Sequence, residues 1–320
     1  MNMPKYLSQS AYAKDTEEQA PTVLITGASK GLGCYLAESF WSAGYSLILI
    51  SRNLESLNNL SHKLSNSITD ESKRITPSQK ISVYACDLAD SKEIDYLIKR
   101  LYSLHKSVDI LINNAAIQGP VGKTHELWGS FPEPYLESIQ VNLLAPIELS
   151  SRLIPLMTDS KIRSPHSGGS IINISGGGAA GPRANFSAYA TAKAGLVRYS
   201  ETLAEEVKDL GIRVNCIAPG AMKTAMMQEV LDKGVQFAGA AEFATAQKIM
   251  SEGGASMERV AELALYLAGP DSTGITGKLI SAMWDNWPAL SGHTEEIKKS
   301  DIFTLRRIAG RDRGMPWADL

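Results

Sequence analysis

Cysteine is scarce in this chain of 320 residues: Cys34, Cys86 and Cys216 stand far apart, an odd set without metal-ligand spacing. That argues against a disulfide framework or a cysteine-held metal and points to a reducing compartment. No apolar run approaches the roughly 20 residues that span a bilayer. The first 20 residues are polar and lack the apolar stretch of a signal peptide. The expected location is therefore the cytoplasm, with no membrane partner and no metal. Charge of one sign is also in short supply, since 32 Lys and Arg face 34 Asp and Glu for a formal net of -2. Without a broad basic field, nucleic acid is not an expected partner. What remains is 44% hydrophobic, a composition that suits a soluble enzyme with a substantial core.

Short apolar runs punctuate the chain: PTVLITGAS, YSLILISRN, ISVYACDLA, VDILINNAA, SIINISGGG, IRVNCIAPG and KLISAMW. Helical patterns occupy residues 31–43 and the neighbourhoods of 90–105, 134–157 and 189–209. Strands alternating with helices at this spacing predict a doubly wound Rossmann fold, α/β, with a predominantly parallel seven-stranded sheet. The expected organisation is a polar N-terminal extension (1–20), a dinucleotide-binding catalytic domain (21–283) and a C-terminal extension (284–320) docked on the domain or a partner subunit. Three irregular stretches interrupt the rhythm, at 65–79, 117–134 and 158–169. The first and third are polar and read as surface excursions. The middle one carries Trp128 and Phe131 after a strand end, and reads either as a wall of the active site or as a packed surface loop.

Gly27, Gly31 and Gly33 follow a predicted strand and open a helix. Small residues there allow a tight turn and close approach, and the helix N-terminus offers backbone donors to a pyrophosphate. Ser29, Lys30 and Leu32 fill the same turn. The next strand ends in Ser51, Arg52 and Asn53, with no acid to hold a ribose diol. Arg52 and Lys30 are instead suited to a 2'-phosphate, which makes NADP the expected cofactor. Downstream, Tyr189 and Lys193 stand four apart and share one helix face. An ammonium near a phenol favours the ionised form, so Tyr189 is a candidate proton donor for hydride-transfer chemistry. The bland alternative is an ordinary amphipathic pair.

Taken in order, TGASKGLG (26–33), Asp87 in CDLA, NNAA (113–116), Asn142 in VNLLAP, YATAK (189–193) and PGAMKT (219–224) make residues 21–283 resemble the short-chain dehydrogenase/reductase family. The resemblance implies reversible hydride transfer between a carbonyl compound and its alcohol. It places Asp87, with Leu88 beside it, at the adenine, and Asn114 and Ala115 along the cofactor cleft. Pro219, Gly220 and Thr224 fall at the nicotinamide, where Thr224 meets the carboxamide. Lys193 binds the nicotinamide ribose and lowers the Tyr189 pKa, while Asn142 supports a water-linked proton path. Family members commonly form dimers or tetramers through helices that correspond here to about 143–157 and 189–209.

Three departures stand out. The serine usual thirteen residues before the tyrosine is Gly176 here, with Ser175 beside it. Adjacent strand residues point oppositely, so Ser175 inherits the role only if the glycines at 176–178 bend the chain. Gly176 also motivates a competing expectation: an NADP-binding regulatory or structural protein with weak or lost catalysis. NNAA replaces the more common NNAG, adding a methyl at Ala116. Finally, SAMWDNWPAL lacks paired glycines after the last strand, and Trp284 and Trp287 stand where they can cap the pocket or anchor a core. Trp128, Phe131 and Met222 offer an apolar substrate wall. Lys223 and the basic run Lys298, Lys299, Arg306, Arg307, Arg311 and Arg313 leave room for an anionic substrate.

Overall fold

A computed structural model describes residues 20–67, 78–127, 132–158, 168–315 and 317. Expectations about the N-terminal 19 residues, Trp128, Phe131 and most of the two polar excursions lie outside the described residues. Seven strands form the sheet: β1 (Thr22–Thr26), β2 (Ser46–Ser51), β3 (Ile81–Ala85), β4 (Ile110–Asn113), β5 (Ser170–Ile174), β6 (Arg213–Ala218) and β7 (Lys278–Ser281). Their order is β3-β2-β1-β4-β5-β6-β7, and every pairing is parallel. Leu24 of β1 sits opposite both Ile48 of β2 and Leu111 of β4. Connections therefore leave β1 toward one side and β4 toward the other, opening a crevice at the carboxyl ends where such sheets bind ligands.

The helices run α1 (Gly31–Ser42), α2 (Leu54–Ser67), α3 (Ser91–Leu104), α4 (Thr124–Leu127), α5 (Glu133–Ile139), α6 (Ala145–Thr158), α7 (Ser187–Glu206), α8 (Ala225–Lys233), α9 (Val235–Ala238), α10 (Ala240–Glu252), α11 (Met257–Ala268) and α12 (Thr294–Lys298). Side chains of α1, α2 and α11 fill one face of the sheet, and those of α3, α6 and α7 fill the other. In α3, Asp90 caps the first turn by accepting from Lys92 N at 2.8 Å. Ile94, Leu97, Ile98 and Leu101 then repeat at helical spacing against the sheet. The buried stripe of α7 contains Tyr189 and Lys193 among Ala188, Ala192, Leu196 and Val197, so the packing face is also the face that carries chemistry.

Sequence patterning missed α2 and the run from α8 to α11. The three helices α8 to α10 are separated and ended by Gly234, Gly239 and Gly253, all at positive φ. Few of their residues are buried: Val230, Ala238, Ala246 and Ile249. Segments this short and half-exposed carry no long apolar period, and their place is set by packing on Val121 and Phe186 of the body.

After β7 the chain returns across the body. Trp287, Leu290 and Ile297 are buried in the core under α11, with Trp287 5.7 Å from the Tyr266 ring. Farther on, Phe303 O accepts from Leu279 N of β7 at 2.7 Å. Glu201 of α7 accepts from Leu305 N at 2.6 Å, and Lys278 Nζ donates to Ser300 O and Ile302 O. A chain ending after Asn286 loses three core side chains at about 1.5–3 kcal/mol each. Its melting midpoint should fall on the order of 10–20 °C. Scanning calorimetry that finds the midpoint unmoved would show that this return segment adds nothing to stability.

Candidate active site

At the nucleotide end, β1 hands over to α1 through Gly27 at φ 65 and Gly31 at φ 55, values only glycine adopts readily. A side chain at Gly33 would overlap the Gly27 carbonyl, and one at Gly27 would come 2.8 Å from Ala115 Cα. Asn114 secures the turn by donating from Nδ2 to Thr26 O at 2.9 Å and Gly27 O at 3.3 Å. Thr26 Oγ1 accepts from the backbone N–H groups of Asn114 and Ala115, both at 3.0 Å. Lys30 precedes α1 without capping it through its side chain, which leaves first-turn N–H groups facing the crevice. This cradle, which a Cβ would fill, fits the pyrophosphate of a dinucleotide. Ser29 and Leu32 line the same cleft.

The ribose end keeps its missing acid. Ser51 Oγ accepts from Asn53 N, and Asn53 Oδ1 caps α2 through Ser56 N at 2.9 Å. Arg52 is well exposed and stands 3.9 Å from Asp87 Oδ2, a solvent-facing pair that binds it only weakly. Asp87 accepts from Ala89 N at 3.0 Å and so shapes the turn after β3. Leu88 is buried beside it and lines the cleft. Across the crevice, Pro219 and Gly220 (φ 77) follow β6. Thr224 opens α8, its Cγ2 3.9 Å from where a Gly31 side chain would begin.

At the reaction end, Tyr189 and Lys193 are both buried. Lys193 Nζ donates to Ile174 O at 2.8 Å and lies 5.8 Å from the Tyr189 ring centroid. Burial draws the Lys193 ammonium down to about 8. Burial also pushes the Tyr189 phenol up, and the charge opposing that rise is Arg183. Lys193, expected to act on the phenol, and Arg183, from the loop before α7, each stand 5.8 Å from the Tyr189 ring centroid. Asn142 lies in a π-helical turn, Gln140–Leu144, and is fully buried. Its Nδ2 donates to Ile117 O at 2.9 Å and Ser138 Oγ at 3.1 Å, and its Oδ1 accepts from Ile117 N at 3.2 Å. It thereby clamps the chain that leaves β4.

A side chain at Gly176 would overlap the Tyr189 hydroxyl, so the phenol occupies the space of the absent serine. Ser175 is buried, its Oγ has no hydrogen-bond partner among the described residues, and it lines the cleft. The cleft measures about 1700 Å³ and runs from Arg52 to the α8–α10 helices. Met222 and Lys223 line it as expected. Trp284 lies at its wall, 80% exposed, whereas Trp287 is a core residue, because the chain turns inward after Asn286. The basic run near the C-terminus does not reach the cleft. Lys298 pairs with Glu295, and Arg306 pairs with Asp301 and Asp312. Arg183 and Glu242 are cleft residues that sequence reasoning missed. They are 59 positions apart, and no local pattern joins them.

Fold and site together define a class, the nicotinamide-dependent oxidoreductases acting on CH–OH groups. The family model for short chain dehydrogenases matches residues 21–234, and the chain belongs to that family. It is 30% identical over 274 residues to the uncharacterized oxidoreductase YxbG of Bacillus subtilis, covering 83% of this chain and 92% of that protein. It is 29% identical to the D-beta-hydroxybutyrate dehydrogenase of Rhizobium meliloti, covering 84% and 98%. A short chain dehydrogenase of Shigella flexneri solved with NADP superimposes with a TM-score of 0.65 at 27% identity, covering 84% of this chain and 99% of that one.

Proposed function

We propose that this protein is an NADP-dependent oxidoreductase interconverting a carbonyl compound and its alcohol, with Tyr189 as the proton-transferring group. The observation that carries the reading is the buried phenol in the same cleft as the glycine cradle. Bound NADP(H) supplies or accepts the hydride. Tyr189 gives its proton to the substrate oxygen in reduction and takes it back in oxidation. Lys193, whose ammonium burial draws down to about 8, exchanges protons more readily than an ordinary lysine and holds the ribose. Asn142 keeps the post-β4 chain in place for a water-linked proton path. Ser175 offers its unpartnered hydroxyl to the substrate oxygen, in place of the donor absent at Gly176. Gly27, Ser29, Lys30, Gly31, Leu32 and Gly33 hold the pyrophosphate end. Arg52 meets the 2'-phosphate, Asp87 and Leu88 the adenine, Asn114 and Ala115 the ribose side, and Pro219, Gly220 and Thr224 the nicotinamide.

NADP is favoured over NAD by the lack of a carboxylate at the end of β2 and by Arg52 and Lys30 at that end of the cleft. A structural relative of Escherichia coli, 26% identical, was solved with NADPH. Arg52→Ala should reduce the NADPH-over-NADH preference in kcat/KM by about tenfold to a hundredfold, the worth of a charge-assisted hydrogen bond. An unchanged preference in Arg52→Ala and in the double variant with Lys30→Ala would overturn the assignment. Turnover itself is tested by following NADPH absorbance across aldehydes, ketones and alcohols. Tight NADPH binding with no turnover would favour the second reading, a regulatory or structural NADP-binding protein, for which Gly176 is the supporting observation. The proposal also includes a cytoplasmic location, the domain division at residues 20 and 283, and a homodimer or homotetramer through α6 and α7.

A further inference from the structure

Arg183 lies in the loop between β5 and α7, beside the three glycines at 176–178. A side chain at Gly177 would meet Arg183 Cδ at 3.5 Å, Nε at 3.7 Å and Nη1 at 3.8 Å. The guanidinium therefore lies along the glycine triplet, within ordinary contact distance of where a Gly177 side chain would begin. It stacks on Phe186, with Cζ 3.8 Å from that ring centroid and 5.8 Å from the centroid of Tyr189. Nη2 donates to Glu242 Oε2 of α10 at 2.7 Å. The hydrogen bonds Arg183 forms with the described residues use Nη2 alone. Its side chain is 14% exposed against 34% for Glu242, and both line the cleft. Lys223 and Lys233 also line this end but are exposed, where water competes with any ligand. A guanidinium that is largely withdrawn from water and offers a planar fork binds a carboxylate far more strongly.

The geometry points to Arg183 as the anchor for a substrate carboxylate, which makes the substrate an oxo acid or the corresponding hydroxy acid. The substrate carboxylate takes the place of Glu242 on the guanidinium, and the carbonyl oxygen meets the Tyr189 hydroxyl. This rests on the reading of Tyr189 as proton donor. Glu242 is the internal occupant of the same fork: more exposed than Arg183, it turns out to water when displaced. A phosphate dianion would add about twice the negative charge of a carboxylate to a cleft that holds Glu137, Glu229 and Glu242 beside Lys223 and Lys233, and the planar guanidinium fork matches the two oxygens of a carboxylate. The anchor also fixes substrate orientation, at the end of the substrate away from the oxygen that Ser175 and Tyr189 meet.

The test measures NADPH oxidation with pyruvate, acetoacetate and levulinate, each beside its methyl ester, in wild type, Arg183→Gln, Arg183→Lys and Glu242→Gln. Calorimetric titrations of butyrate and butyramide into the enzyme–NADP complex run alongside. The acid-over-ester ratio of kcat/KM should fall about tenfold to a hundredfold in Arg183→Gln, mainly through KM, with partial recovery in Arg183→Lys. Glu242→Gln should bind butyrate more tightly than wild type. The same acid-over-ester ratio in wild type and Arg183→Gln overturns the proposal, as does butyrate binding no better than butyramide. Competition by inorganic phosphate but not by butyrate overturns it too. Arg183-dependent butyrate binding without turnover keeps the anchor while the activity reading fails. Turnover that needs Tyr189 but shows no acid preference keeps the activity and removes the anchor.

Discussion

Tyr189→Phe should lower kcat by about a hundredfold to ten-thousandfold, the usual worth of a positioned proton donor, and leave NADPH affinity nearly unchanged. The substitution removes the phenolic oxygen and keeps the ring. Tyr189 sits in the buried stripe of α7, so its ring continues to fill the space above Gly176. The glycine cradle proposed for the cofactor lies on another loop, between β1 and α1. Stopped-flow reduction and fluorescence titration of NADPH separate the two effects. Full turnover in the variant would remove Tyr189 from the mechanism.

Lys193→Met should remove most turnover and at the same time stabilise the folded protein at pH 7. Burial draws the ammonium from 10.5 in the unfolded chain to about 8 in the fold. A group whose charged form is disfavoured by folding costs stability wherever it is charged, here about 3 kcal/mol. Methionine avoids that cost but leaves the Ile174 carbonyl without its donor, a loss of about 1 kcal/mol. The net expectation is a gain of ~2 kcal/mol at pH 7. Between pH 8 and 10.5 the unfolded wild type binds more protons than the folded one, so wild-type stability climbs with pH through this window. The variant lacks this climb, and its advantage should shrink toward pH 10.5. Urea denaturation at pH 7 and pH 10 measures the difference. A destabilised variant at pH 7 would show that Lys193 is held in a site that favours its charge.

The cofactor half of the site was legible because its signals are local. Gly27, Gly31 and Gly33 fall within one turn, the missing acid is a single position after β2, and Tyr189 and Lys193 share a helix face by spacing alone. The fold was legible for a related reason, since strands buried on both faces read as unbroken apolar runs. The substrate half was not. Arg183 meets Glu242 only once α8 to α10 have packed on Phe186, and glycine-broken helices announce no such packing. Trp284 and Trp287 look equivalent in sequence, yet one lines the cleft and the other enters the core, because a turn between them reverses direction. Spacing alone brings Lys193 beside Tyr189, whereas Arg183 reaches the same ring from a loop that no local pattern announces.

The return segment that gives Phe303 O to Leu279 N has a consequence for colloidal behaviour as well as for folding. β7 is the last strand of a parallel sheet, and an uncovered last strand presents backbone groups that another chain can pair with. Here Phe303 O of the same polypeptide accepts from Leu279 N, and the Arg306–Asp301 ion pair belongs to the same stretch. The bond from Leu279 N to Phe303 O thus occupies an outward-facing donor of β7 that an added strand would need in order to extend the sheet.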